Sequence, residues 1–345
     1  MAVKTRVAVA GSGFGLYGIL PAFQQIPDCA AVGIFGESSD RLLNYCRQTA
    51  VPFFSDWRAM LEQTRPDAIA VAVIPRYQHD IIAHALERGI SVFAEKPLAV
   101  DLAQAKALLE QARAKKVAHM MDFLFPEIPE WRRAKELLEQ GAIGRPLELS
   151  LIWAFMSHDI KNRIQGWKTR PEEGGGALSF YFSHVFYNLE FFLGKIQSLQ
   201  CSLMRAPDAP GTGETTLSLK LTFQNGCKAT VAFECAFPAS PSHFWIFQGD
   251  GGSFHLQNTS ASFTRGFELT LHSKTASKEK IPVTPLPSDP SLDERVPLVK
   301  SLAERFLHWH RDSVPAHPDF AAGLRVQHLI QLARQSSQRQ ETVLC

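Results

Sequence analysis

Three short stretches hold residue types that do chemistry. Gly-Ser-Gly-Phe-Gly, residues 11–15, follows the apolar run Arg6-Val-Ala-Val-Ala10 and precedes a helical pattern. That setting suits a pyrophosphate, because bare backbone permits close approach and a helix N-terminus offers N–H groups and positive dipole. The same glycines would serve equally well in a plain turn that needs positive φ. Ser91-Val-Phe-Ala-Glu95-Lys96-Pro97 ends a second apolar run in a lysine. At the carboxyl end of a parallel strand a lysine points into the crevice where such sheets bind ligands, and its ammonium can donate to a developing alkoxide or polarise a carbonyl. Its competing role is a surface lysine fixed by Glu95 and Pro97. Third, Gly174-Gly175-Gly176 leads into an aromatic helical stretch that carries His184. Histidine titrates near neutrality and suits general acid–base work, although a lone histidine in such a helix serves as often in core packing.

The elements that must position these residues fall into two groups. From residue 1 to 123, short β-branched runs alternate with amphipathic segments: RVAVAG, AAVGIFG, DAIAVAVIP, SVFAEK and VAHMMDF, with helix-length spacers between them. Apolar runs at that spacing predict an α/β domain, a Rossmann-type doubly wound parallel sheet covered on both faces. After Phe123 the rhythm changes. A helix PEWRRAKELLEQG, the strand LELSLIWAF, a polar loop from Ser157 to Glu173 and the His184 helix are followed by the strands QSLQCSLMR, TTLSLKLTF and ATVAFECAF, the last two joined through Gln224-Asn225-Gly226. Strands after strands predict that residues 124–345 form an α+β domain with a mostly antiparallel open sheet. Segment 274–295, with four prolines, reads as an exposed loop, and two helices close the chain.

At 345 residues and 45% hydrophobic, the chain has material for two cores. Its 36 basic and 34 acidic side chains nearly cancel without long single-sign runs, which argues against a nucleic-acid partner and for a small molecule. Six scattered cysteines, with no CxxC pair and no histidines at ligand spacing, argue against a disulfide framework and against a metal site. No apolar segment has the length of a membrane span, so the expected location is a reducing cytoplasm.

Read together, Gly11 to Leu16, Ile74-Pro75-Arg76-Tyr77-Gln78-His79, Glu95-Lys96-Pro97, Gly141-Ala-Ile-Gly-Arg-Pro146, Gly174–His184 and Gly323-Leu-Arg-Val-Gln327 resemble the glucose-fructose oxidoreductase/inositol dehydrogenase (Gfo/Idh/MocA) family, in its order and over nearly the whole chain. The resemblance implies an NAD(P)-dependent oxidoreductase that moves hydride between nicotinamide and a small-molecule carbonyl or alcohol, a sugar, cyclitol or derivative. It implies a cofactor along Gly11, Gly13, Phe14 and Gly15 and beneath Pro75 and His79, near Glu95. Lys96 and His184 become the acid–base groups, and a homodimer or homotetramer is expected.

The sequence also departs from that pattern. Phe180 and Tyr187 stand where the family carries aspartates, four residues before and three after the histidine. Losing a positioned acid–base group costs roughly 10²–10⁴ in rate, so an imine or conjugated-ring reductase, or a silent dinucleotide-binding sensor, are the alternatives. Candidate pocket walls are Trp153, Phe180, Tyr181 and Tyr187. Arg163 and Trp167, in a loop with Lys161, Lys168 and Arg170, would suit an anionic substrate if they face the pocket, and a solvated loop balanced by Asp159, Glu172 and Glu173 if they do not. At the end of the second strand Gly36 replaces the family acid and Glu37 follows. That carboxylate favours NAD(H) over NADP(H), although Gly36, Ser38, Ser39 and Arg41 could form a phosphate pocket.

Overall fold

The computed structural model describes residues 4–273, 278–287 and 289–345. Its strands are β1 (Thr5–Ala10), β2 (Cys29–Phe35), β3 (Phe53–Phe54), β4 (Ala68–Val71), β5 (Ser91–Ala94), β6 (His119–Met121), β7 (Pro146–Ala154), β8 (Ile196–Met204), β9 (Thr216–Phe223), β10 (Lys228–Glu234), β11 (Ser242–Gly249), β12 (Gly252–Asn258), β13 (Glu268–Ser273), β14 (Glu279–Lys280) and β15 (Val343–Leu344). Its α-helices are α1 (Leu20–Gln24), α2 (Asp40–Thr49), α3 (Trp57–Thr64), α4 (Pro75–Glu87), α5 (Leu102–Lys115), α6 (Pro129–Glu139), α7 (His158–Lys161), α8 (Phe182–Leu193), α9 (Val296–Asp312) and α10 (Phe320–Arg339).

The first sheet runs β3-β2-β1-β4-β5-β6 with every pair parallel. Its order reverses between β1 and β4, the switch point at which doubly wound sheets bind ligands beyond the carboxyl ends of their strands. Val7 to Ala10 and Ala68 to Val71 are fully buried, which is why these strands read as continuous apolar runs rather than alternations. Side-chain caps start the helices: Ser39 accepts from Leu42 N–H, Asp56 from Arg58 N–H and Asp101 from Gln104 N–H.

The compact units do not divide the chain at a single point. One takes residues 1–124 and 287–327, the other 125–286 and 328–345. The sequence divides at Phe123 and assigns everything later to the second domain; the difference is residues 287–327, which hold the first turns of α10 and helix α9, whose Phe306 packs edge-on against Phe23 and Phe93 of the first unit. Apolar periodicity announces that α9 has a buried face but not which core covers it.

The second sheet runs β14-β13-β12-β11-β7-β10-β9-β8-β15, antiparallel apart from the parallel β7–β10 pair. Strands β9 and β10 alternate strictly, Leu217, Leu219, Leu221, Val231 and Phe233 being buried while Ser218, Lys220 and Ala232 are exposed, so one face is covered and the other open. Asn225 closes their turn, accepting from Cys227 N–H and donating to the Leu193 carbonyl. Strands β11 to β13 add to the sheet beyond those the sequence identifies. Of the proline-bearing segment 274–295, residues 274–277 and 288 lie outside the described residues, and the rest is loop and turn apart from β14. No helix among the described residues is long and apolar enough to cross a membrane.

Candidate functional site

In the first unit, β1 delivers the chain into the glycine turn. Gly11 has φ of +133°, and a Cβ there would lie 2.2 Å from the Ala72 carbonyl oxygen, so only glycine fits. Gly13 is different: a Cβ would meet nothing within 4 Å. Space is therefore open at the position where a pyrophosphate would need bare backbone, and protein packing does not account for the glycine. Gly15 opens a π-helical turn, Gly15–Ile19, which precedes α1. Leu16, standing in the third position of the Gly-x-Gly-x-x-Gly pattern, is 1% exposed and packs where that glycine would allow closer helix–sheet approach.

Gly36 ends β2 against the same loop. A Cβ on it would fall 2.5 Å from Ser12 Cβ, so no acidic side chain can occupy this position. The carboxylate at the tip is the exposed Glu37, whose N–H donates to Ser12 Oγ (3.1 Å). These features fit the residues to a dinucleotide: a bare-backbone cradle, open space at Gly13 and an acid at the end of β2.

Lys96 lies just past β5, half-buried, in a turn held by polar groups. Its N–H donates to Glu95 Oε2 (2.9 Å). Gln78, 1% exposed on α4, donates from Nε2 to the carbonyls of Glu95 (2.7 Å), Pro97 (2.9 Å) and Leu98 (3.3 Å). From the first half of α10, Gln327 donates to the Val100 carbonyl (3.2 Å), and Gly323 lets that helix pack on Leu98 and Met121. Pro75 is buried at the first turn of α4, and His79 Nδ1 lies 3.1 Å from Asp80 Oδ1. Asp122, fully buried after β6, faces Glu95, and burial followed by the Glu95 charge holds its carboxyl well above the ordinary carboxylate range. Arg295, just before α9, grips Asp293 through Nε (2.8 Å) and Nη2 (2.9 Å) and lies 4.2 Å over the ring of Phe14.

The second unit holds its candidates by ring packing. His184 on α8 is 8% exposed and meets Phe125 edge-on at 5.0 Å. The helical turn Ala177–Tyr181 that leads into α8 is fixed by Glu214, whose Oε1 accepts from Leu178 N–H (2.9 Å) and whose Oε2 lies 3.6 Å from Arg334 Nη1; Arg334 also donates to Ser179 Oγ (3.1 Å). Trp153 is 3% exposed and stacks on His243 at 4.5 Å, a core position. Phe180 meets Trp167 (5.2 Å) and Tyr181 (4.6 Å), and Tyr187 stacks near Phe191. Burial pushes the Tyr181 phenol well up despite a hydrogen bond with Ser157. In the basic loop, Lys168 pairs with Asp159 (3.6 Å) and Arg170 with Glu173 (3.1 Å), while Arg163 is exposed.

Sequence reasoning brings Gly11, Gly13, Phe14, Gly15, Glu37, Pro75, His79, Glu95 and Lys96 into one unit, and that unit contains all of them. It misses Gln78, Asp122 and Arg295. The first sits inside Ile74–His79; the second is the acid that follows strand β6, His119–Met121; the third carries no local signal.

Residues 5–123 match the model of an oxidoreductase family with an NAD-binding Rossmann fold, and residues 131–255 match the GFO/IDH/MocA C-terminal domain. The chain belongs to the Gfo/Idh/MocA oxidoreductase family. An uncharacterized oxidoreductase of Synechocystis sp. is 26% identical over 353 residues, covering 98% of this chain and 95% of that protein. Levoglucosan dehydrogenase of Pseudarthrobacter phenanthrenivorans is 27% identical over 150 residues, 43% of this chain and 38% of the relative. A scyllo-inositol 2-dehydrogenase (NAD(+)) of Bacillus subtilis is 28% identical over 146 residues, 42% of this chain and 43% of the relative. A solved levoglucosan dehydrogenase, in complex with NADH and levoglucosan, shares the fold with a TM-score of 0.86 at 19% identity over 99% of both chains. As a Gfo/Idh/MocA member the chain carries the family's NAD-binding domain in the unit that holds the glycine turn and Lys96.

Proposed function

We propose that the protein is an NAD(H)-dependent dehydrogenase or reductase of a neutral polyhydroxylated small molecule, a sugar or cyclitol, with Lys96 as the group that handles the proton at the reacting oxygen. The observation that carries the reading is the Glu95-Lys96-Pro97 turn, clamped by Gln78 in the same unit as the open glycine cradle. A bound nicotinamide supplies or accepts the hydride. Gly11, Gly13, Phe14 and Gly15 would hold the pyrophosphate side of the dinucleotide, Glu37 its ribose, and Pro75 and His79 its flank. The Lys96 ammonium donates to the substrate oxygen as charge develops there; in the oxidative direction the neutral amine takes the hydroxyl proton. His184, with the turn before its helix fixed by Glu214 and Arg334, is the second acid–base group of this reading.

A neutral substrate is favoured because Lys168 and Arg170 are already engaged by Asp159 and Glu173, and because levoglucosan and scyllo-inositol name the relatives' activities. The ring cluster of Trp167, Phe180 and Tyr181 supports a second reading, reduction of a flatter imine or conjugated ring. We also infer that the open sheet face, with Ile152 43% exposed, pairs with a second copy, and that six unbridged cysteines suit a reducing cytoplasm.

Titrating wild type and Gly13→Asp with NADH and NADPH, by nicotinamide fluorescence, tests the cradle. Saturable NADH binding lost in the variant supports the reading and opens a screen of polyols and cyclic imines. A folded wild type that binds neither dinucleotide would overturn it, and binding without turnover on any substrate would leave the silent sensor.

A further inference from the structure

Behind the Lys96 turn, two carboxyls face each other, Asp122 sealed from solvent and Glu95 half-buried. Asp122 is 0% exposed, and its N–H donates to the Ala94 carbonyl (2.8 Å), bringing its side chain beside Glu95. No N–H or O–H among the described residues reaches either carboxyl oxygen of Asp122. The polar group within hydrogen-bond reach is the Glu95 carboxyl, and the other charges facing Asp122 are Lys96 and Arg295. With both carboxylates ionised, Asp122 would lack a donor and the two charges would repel at low dielectric. One proton between them removes both faults. Asp122 is the carboxyl that holds it, because it is the one sealed from water, while Glu95 accepts from Lys96 N–H, a role suited to the charged acceptor.

We propose that Asp122 is a positioning residue for Lys96: as a neutral acid it donates its O–H to Glu95 and so fixes the carboxylate that anchors the Lys96 backbone. The positioning role rests on the reading of Lys96 as the proton-handling group; the shared proton does not. A carboxyl raised in the fold retains a proton that the unfolded chain releases above about pH 4, so this site costs stability progressively as pH rises from there.

Asp122→Asn places an N–H donor in the same position with no proton to lose, whereas Asp122→Leu offers no donor. The expected result is a Tm for Asp122→Asn that gains on wild type as pH rises above about 4. Wild type at neutral pH should also show the infrared carbonyl stretch of a protonated carboxylic acid, absent from Asp122→Asn. NADH affinity should hold in both variants. Turnover should survive in Asp122→Asn and fall about tenfold to a hundredfold in Asp122→Leu, the scale of a misplaced reacting group. Parallel pH profiles for wild type and Asp122→Asn, without the infrared band, would overturn the shared proton. If the band and the pH-dependent gap are present but Lys96→Met turns over normally, the positioning role is overturned along with the reading of Lys96, and the shared proton stands.

Discussion

The two units hold their candidate residues by opposite means. In the first unit, single polar groups grip the backbone: Gln78 on three carbonyls and Glu95 on one N–H at the Lys96 turn, Ser12 on the Glu37 N–H at the glycine turn. Around His184, rings grip rings: Phe125 touches His184, Trp131, Trp153 and His243, and Trp131 touches Phe192, Trp245 and Phe267. Directional bonds set one geometry with little buried area, whereas ring packing buries much area with looser direction. Substitutions in the first unit should therefore cost chemistry more than stability, and in the second the reverse.

The largest effect is expected from the rings. Trp131→Ala removes a fully buried indole and should cost about 3–5 kcal/mol in denaturant unfolding. A loss below about 1 kcal/mol would mean that the rings act independently of one core, and the contrast between the units would break.

Acid should weaken both units, for each buries a histidine. Burial pushes His243 down to about 3 and His119 down to about 4, the latter against the opposing charge of Asp319. His243 Nε2 already accepts from Trp245 Nε1 (2.9 Å), which requires the neutral ring. The unfolded chain binds these protons below about pH 6.5 and the fold does not, so stability should drop as pH falls from there, by on the order of 3 kcal/mol per histidine near pH 4. His243→Asn should blunt that loss; an unchanged acid profile would contradict the assigned burial.

Gln78→Ala sharpens the comparison from the other side. It leaves the carbonyls of the Lys96 turn without their side-chain donor, for about 1–3 kcal/mol of stability, while turnover should fall about a hundredfold. Undiminished turnover in a variant that loses that much stability would remove the distinction. The smallest effect belongs to the basic loop: Arg163→Glu, at an exposed position, should change stability by no more than about 0.5 kcal/mol and leave KM for a neutral substrate unchanged.

What was legible in the sequence follows the same division. The parallel sheet reads directly from apolar runs because its strands are buried on both faces, and the glycine turn and Glu95-Lys96-Pro97 read from local spacing at strand ends. Other features depend on partners far along the chain and leave no periodic trace. Phe306 turns α9 back to the first unit, Arg295 reaches Phe14 across some 280 residues of chain, and Arg334 braces the His184 helix through Glu214. Trp153 reads from its chemistry as a pocket wall, yet its neighbours His243 and Phe233 make it part of the core. Strands β11 to β13 escaped notice because residues 242–273 mix polar and aromatic side chains on an open sheet.

The most direct test of the central claim compares wild type and Lys96→Met for NADH affinity and for turnover across a panel of neutral polyols. The account predicts equal NADH binding and a kcat about 10²–10⁴ lower in the variant. Undiminished turnover by a folded Lys96→Met enzyme would contradict it.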